Sequence, residues 1–308
     1  MFRIVLTTAL LLLAWMAHSQ QDAQYTQFMF NKLYYNPAYA GAKEALCLSA
    51  IYRNQWLGID GAPQTATFNI HAPVWKRRMG VGLSVTNDRI GLSDRWNFDL
   101  NYAYRIVLKN EATLSIGLRG TLSYMSIRWD NAQLTQSLDQ SVPAAENSKV
   151  LPNFGVGVYY QARNWYIGLS VPRLFKNRID FNNNSQSTIE PELTQHYFLT
   201  GGVSIDIAKN VSLQPNVMLK YVPNTPFDAD INLSVVFFEK VLFGVTYRVG
   251  DSVDGLLQWR VVPQFTISAA YDFTLTPLQS YNAGSFEVML QYCFCCQKGK
   301  RLHNPRFF

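Results

Sequence analysis

The sequence predicts an all-β fold, a transmembrane antiparallel β-barrel of about 14 strands with short periplasmic turns and longer extracellular loops. Three observations predict it. The chain opens with an export signal, yet no later apolar run is long enough for a membrane helix. Most of the remainder alternates between large apolar and polar or small side chains with period two. Short and long connections also alternate along the chain, which sorts the tight turns to one end.

Residues 1–19 read as the signal peptide. Arg3 supplies the positive n-region, Ile4 to Ala17 the apolar h-region, and Ala17-His18-Ser19 a small-x-small cleavage site. The run is short for an uncleaved anchor. No Cys follows the cut, which excludes the usual acylated lipoprotein. Of the 27 Lys and Arg, the loss of Arg3 leaves 26 against 21 acidic residues. They are scattered, apart from small clusters at Lys76-Arg77-Arg78 and Lys298-Gly299-Lys300-Arg301. Together with export, that argues against nucleic acid as a partner. Charged residues are 16% and aromatics 14%, few charges and many rings for a water-soluble domain.

Residues 20–45 form an N-terminal aromatic segment that precedes the first strand. Strands follow at 46–54, 64–73, 78–88, 94–107, 112–127, 151–161, 164–172, 196–207, 210–222, 228–238, 241–249, 255–262, 264–274 and 283–294. The barrel thus spans 46–294, and 295–308 is a basic periplasmic tail ending in Phe307-Phe308. The clearest strand sets Trp96, Phe98, Leu100, Tyr102, Tyr104 and Ile106 against Asn97, Asp99, Asn101, Ala103 and Arg105. Successive strand side chains point to opposite faces, so this segment separates lipid from a wet lumen. Residues 114–124 and 211–221 repeat the pattern; Pro215 inside the latter predicts a local bulge.

The second, fourth, sixth, eighth, tenth and twelfth connections are short: 74–77, 108–111, 162–163, 208–209, 239–240 and the turn at Pro263. The long ones lie between them, above all 128–150 and 172–195. A soluble sandwich has no reason to sort its loops this way; an outer-membrane barrel does. Tyr104, Tyr124, Tyr221, Tyr247, Tyr271 and Tyr292 fall near strand ends on the apolar face, where interfacial girdles belong.

The stretch Gln24 to Ala42, QYTQFMFNKLYYNPAYAGA, carries six aromatic side chains. Starting from the periplasmic side, it must enter the lumen or pack across the periplasmic mouth. Asn36 suits an N-cap, Pro37 the first position of a small turn, and Gly41 its exit. Phe28, Tyr35, Asn36, Pro37, Tyr39 and Gly41 are therefore candidate plug or partner-binding residues; a plain lead-in to the first strand is the alternative.

These residues also carry a resemblance. Gln27-Phe28, Tyr35-Asn36-Pro37-Ala38-Tyr39-Ala40-Gly41, Tyr52-Arg53-Asn54-Gln55-Trp56 and Gly61-Ala62-Pro63-Gln64-Thr65 resemble the start of the PorP/SprF family. The resemblance implies an outer-membrane component of the type IX secretion and gliding machinery of Bacteroidetes. It implies a non-enzymatic role that supports secretion or surface attachment of cargo adhesins. It also implies partners among the secretion-system proteins, including a peptidoglycan-binding OmpA-like lipoprotein. Asn-Pro-Ala alone is shared with FadL-type transporters, so a FadL-like or porin-like transporter of small hydrophobic or anionic solutes is the alternative function.

Catalytic and metal chemistry find little support. His18 leaves with the signal; His71, His196 and His303 have no metal-ligand spacing and no companion set of a hydrolase. His71 is expected on the lumen face, solvated. No cofactor or metal is predicted. Of the four cysteines, Cys47 opens the first strand and Cys293 closes the last, with Cys295 and Cys296 beyond. First and last strands are neighbours in a closed barrel, so Cys47 is expected to pair with Cys293 or Cys295 in an oxidising periplasm. Free or separately paired thiols remain open. Arg53, Arg105, Arg119, Lys220 and Arg260 share the lumen with Asp99, Asp272 and Glu287, as a cross-lumen ion-pair network or the lining of an anion-preferring pore.

Overall fold

The computed structural model describes residues 23–109, 112–128, 147–178, 192–223 and 225–294. The signal peptide, Cys295, Cys296, the basic tail and most of the 128–150 connection lie outside the described residues.

A short helix, α1 (Lys32–Tyr35), and a 3-10 turn (Pro37–Tyr39) come first. The strands are β1 (Leu46–Asn54), β2 (Gln64–Val74), β3 (Met79–Ile90), β4 (Ser93–Val107), β5 (Thr113–Ile127), β6 (Asn147–Gln161) and β7 (Trp165–Val171). A two-strand ribbon, β8 (Asn177–Arg178) and β9 (Glu192–Leu193), stands apart in its own sheet. Then follow β10 (Tyr197–Val203), β11 (Ile205–Ala208), β12 (Val211–Tyr221), β13 (Asp228–Phe237), β14 (Val241–Arg248), β15 (Ser252–Val262), β16 (Phe265–Thr274) and β17 (Ser285–Phe294). Every pairing in the main sheet is antiparallel; β7 pairs with β10 across the separate ribbon, β10 and β11 both pair with β12, and β1 closes on β17. β10 and β11 lie end to end against β12 as one stave, which makes a closed barrel of 14 staves.

Alternation decides which way each side chain points. In β4, Phe98 and Leu100 are exposed on the outside while Asn97, Asp99 and Asn101 are buried inside. The same holds in β5, with Ile116, Leu118 and Leu122 outside and Ser115, Arg119 and Thr121 inside. An outward apolar band and an inward polar wall are what a bilayer demands of a barrel. All six tyrosines assigned to the girdles are exposed on the outer surface. Tyr104 and Tyr292 lie towards the short-turn end, Tyr124, Tyr221, Tyr247 and Tyr271 towards the other.

Three local features differ from the sequence reading. β6 begins at Asn147, so the fifth connection is shorter than 128–150. β3 extends to Ile90 and β15 starts at Ser252, so the third and eleventh connections, 91–92 and 249–251, are as short as the turns at the opposite end and the expected strict short-long alternation fails there. Gly91 takes φ +56 and Gly250 φ +74, left-handed values that let those connections close tightly. No bulge forms at Pro215: the register from Val211 to Lys220 against β13 is unbroken. The break falls on the other neighbour instead. Opposite Pro215 and Gln214, the stave interrupts at Ser204 between β10 and β11, since Pro offers no N–H to that ladder. The bulge appears further on, between Asp206 and Ala208.

Candidate functional site

The N-terminal segment fills the lumen rather than lying across the periplasmic mouth. Tyr25, Phe28, Tyr35 and Tyr39 are each at most 2% exposed, and Asn36, Pro37 and Gly41 are buried with them. Tyr25, Tyr34 and Tyr35 pack edge to face at centroid distances of 4.9 and 5.1 Å, and Tyr35 meets Phe198 of the wall at 5.1 Å. That geometry suits the ring quadrupoles. The wall that receives them is apolar: Ile51, Met218, Leu242, Leu256 and Met289 sit at inward positions where polar residues prevail elsewhere.

Below this cluster the wall narrows to glycines, which meet the segment's backbone at Gly80 and Gly117 and the Asn36 and Pro37 side chains at Gly157. Asn36 caps the 3-10 turn by accepting from the Ala38 N–H at 2.9 Å, and its amide donates to Val158 O at 3.0 Å. The turn then lies directly on three inward glycines. A Cβ on Gly157 would stand 2.1 Å from Asn36 Oδ1, one on Gly117 2.2 Å from Ala38 N, and one on Gly80 1.9 Å from Ala40 O. Gly41 has φ +73 and its own Cβ position is 2.9 Å from Gly80 Cα, so both sides of that contact require glycine.

Charged side chains of the wall hold the segment at its ends and middle. Arg53 pairs with Asp272 at 2.6 Å and with Glu287 at 3.3 Å, all buried. Glu287 accepts the Thr26 and Gln27 N–H groups at 2.9 and 3.2 Å. Thr26 Oγ1 donates to Asp272 at 2.7 Å and accepts from Arg53 at 2.7 Å. Arg119 donates to the Leu33 and Tyr34 carbonyls at the last turn of α1, and stands 3.9 Å from Asp99. Lys220 joins Asp228 and Asp230 and donates to Gln24. Arg105 reaches Glu44 at 3.6 Å. Arg260 is half-buried on the inward face of β15. The expected charges therefore grip the segment more than they span an open lumen. His71 is buried, not solvated: its Nδ1 accepts the Gly41 N–H at 3.2 Å.

Cys47 and Cys293 are register partners across the β1–β17 seam and are bonded, S–S 2.07 Å. Several members of the site escaped sequence reasoning. Arg248, Asp230 and Asp254 are buried inward residues, with Arg248 on Asp230 at 3.2 Å. Strand parity alone would have found Arg248 and Asp230, whereas Asp254 precedes the strand expected at 255–262. Lys32, buried with its Nζ 3.6 Å from the Tyr166 ring centroid, carried no signal in the sequence. Among the described residues no group of His, Cys, Asp and Glu has the arrangement of a metal site.

A closed antiparallel barrel with an apolar outer band and a lumen occupied by its own N-terminal segment is an integral membrane barrel of the outer-membrane type. The family described as type IX secretion system membrane protein PorP/SprF matches residues 17–292, and the chain belongs to that family. No curated protein matches the sequence. Among solved structures, the CymD monoaromatic hydrocarbon channel is similar at 12% identity and TM-score 0.48, covering 90% of this chain and 95% of that one. Acinetobacter baumannii Omp33 is similar at 7% identity and TM-score 0.46, covering 82% and 100%. A Pseudomonas aeruginosa FadL homologue follows at 10% identity and TM-score 0.44, covering 82% and 89%.

Proposed function

We propose that this PorP/SprF-family membrane protein acts by binding partners in the outer membrane, as a non-enzymatic component that supports secretion or surface attachment of cargo adhesins. Its partners in this reading are other secretion-system proteins, a peptidoglycan-binding OmpA-like lipoprotein at the periplasmic face, and the cargo itself. Signal-peptide cleavage precedes its insertion. The observation that carries the reading is the filled lumen. A transporter needs a path, whereas here the segment from Tyr25 to Gly41 is buried apart from a half-buried Phe30, and its turn rests directly on the wall at Gly80, Gly117 and Gly157. A barrel that spends its interior on its own chain has its two mouths left for interaction.

Affinity capture tests this. The tagged full chain is purified from outer membranes after mild in-cell crosslinking, beside an unrelated outer-membrane barrel of equal abundance. Enrichment of secretion-system proteins or of a large surface adhesin with this barrel alone is the expected result. Recovery of the same proteins with both barrels contradicts the reading.

A further inference from the structure

The segment inside the barrel runs in one direction, and its contacts give that direction residue by residue. Ala23 and Gln24 share a recess with His196, Val222, Thr225 and Pro226. His196 immediately precedes β10, and 222–227 joins β12 to β13, so all four lie at the long-loop mouth. Gln24 accepts from Lys220, the next-to-last residue of β12 before that mouth. Thr26 and Gln27 are held by Arg53, Asp272 and Glu287, near the long-loop ends of β1, β16 and β17. Asn31 is then level with Asn69 in the middle of β2, and Leu33 with Arg119 in the middle of β5. Gly41 touches Pro73 and Gly80 at the short-turn ends of β2 and β3, and Glu44 pairs with Arg77 in the turn between them at 3.0 Å. Only there does the chain turn back to begin β1.

The long connections of an outer-membrane barrel face outward. We infer that the lumen segment enters from the cell-surface mouth, with Ala23, its outermost described residue, at the cell surface. The expectation of a segment starting on the periplasmic side is reversed. The antiparallel closure explains why both directions were open beforehand. β1 must start at the short-turn end, but the chain before it is free to descend the whole lumen first. The buried Arg53–Asp272–Glu287 group fixes the outer part of the segment, Glu287 through the Thr26 and Gln27 N–H groups and Arg53 and Asp272 through the Thr26 hydroxyl, so the residues above it have a defined place at the mouth. This topology does not depend on the secretion role; it rests on the outward orientation of the long connections.

Cysteine labelling tests it in a background where Cys295 and Cys296 are replaced by Ser. Ala23→Cys is compared with Tyr281→Cys, in the connection between β16 and β17 and 76% exposed, and with Arg163→Cys in the exposed β6–β7 turn. Intact cells are treated with a membrane-impermeant maleimide, before and after the outer membrane is permeabilised. The expected result is labelling of Ala23→Cys and Tyr281→Cys on intact cells, and of Arg163→Cys only after permeabilisation. Labelling of Tyr281→Cys but not Ala23→Cys on intact cells, with Ala23→Cys reacting after permeabilisation, overturns the inference. So does an inverted pattern for the two reference sites, which separates a wrong orientation from a wrong path. If neighbouring side chains shield position 23 in both conditions, an epitope inserted between residues 22 and 23 decides. Antibody binding on intact cells upholds the inference, and binding only after permeabilisation overturns it.

Discussion

Arg53 and Glu287 stand opposite one another in the register of the β1–β17 seam, and between them they hold Thr26 of the lumen segment. The strand pair that closes the barrel is thereby the same pair that clasps its contents. Removing one member of a buried, hydrogen-bonded charge group leaves its partners uncompensated, at a cost of about 3–5 kcal/mol. Arg53→Met strands both Asp272 and Glu287, whereas Glu287→Gln keeps the shape and leaves Asp272 with its ion pair. Arg53→Met is expected to lower the unfolding midpoint in urea much further than Glu287→Gln. Equal midpoints for Arg53→Met and the parent would contradict the clasp.

The glycines under the Asn-Pro-Ala turn give a sharper contrast. Gly117 faces inward against Ala38, while Gly120 faces away and a Cβ there meets nothing within 4 Å. Overpacking of this kind costs about 1–3 kcal/mol. Gly117→Ala is expected to destabilise the purified barrel by that amount, and Gly120→Ala to leave it near the parent value. Deleting the lumen segment should shrink the difference between the two, because the three atoms nearest a Gly117 Cβ all belong to that segment.

The barrel itself was legible in the sequence because lipid and lumen impose opposite demands on alternate residues, as Phe98 against Asp99 shows. Most strand positions followed from that, as did the inward set Arg53, Asp99, Arg105, Arg119 and Lys220. The filling of the lumen was harder to read. Ile51, Met218, Leu242, Leu256 and Met289 break the inward polar rule and form the bed for Tyr25, Phe28 and Tyr35, yet a lone apolar residue at an inward position reads as noise until its neighbours are known. Gly80, Gly117 and Gly157 read only as weak points in strands until the turn resting on them is seen. The direction of the segment was not legible at all, since aromatic content says that a segment is buried but not which end enters first.

The seam carries a second prediction, about covalent closure. Peptide mapping under non-reducing conditions is expected to recover Cys47 linked to Cys293. A Cys47-to-Cys295 link, or a free Cys47, would contradict the pairing. The Cys47→Ser and Cys293→Ser double variant should still insert, since the nine register pairs of β1 and β17 remain, but should unfold earlier by roughly 2–4 kcal/mol.

A lumen occupied by its own chain should not conduct. The purified protein in planar bilayers is expected to show no steady ion current. A variant lacking residues 24–42 that still migrates as a folded barrel should open a pore of defined conductance. Steady conductance by the full chain would favour the transporter reading that a shared Asn-Pro-Ala first raised.

The secretion role is tested most directly in the source organism, by a clean deletion with the surface and periplasmic proteomes compared against the parent and a complemented strain. Loss of particular large adhesins from the surface, with other exported proteins unchanged and full recovery on complementation, is the expected result, and it names the cargo. A surface proteome identical to the parent would contradict the secretion role, leaving the filled barrel without the function proposed for it.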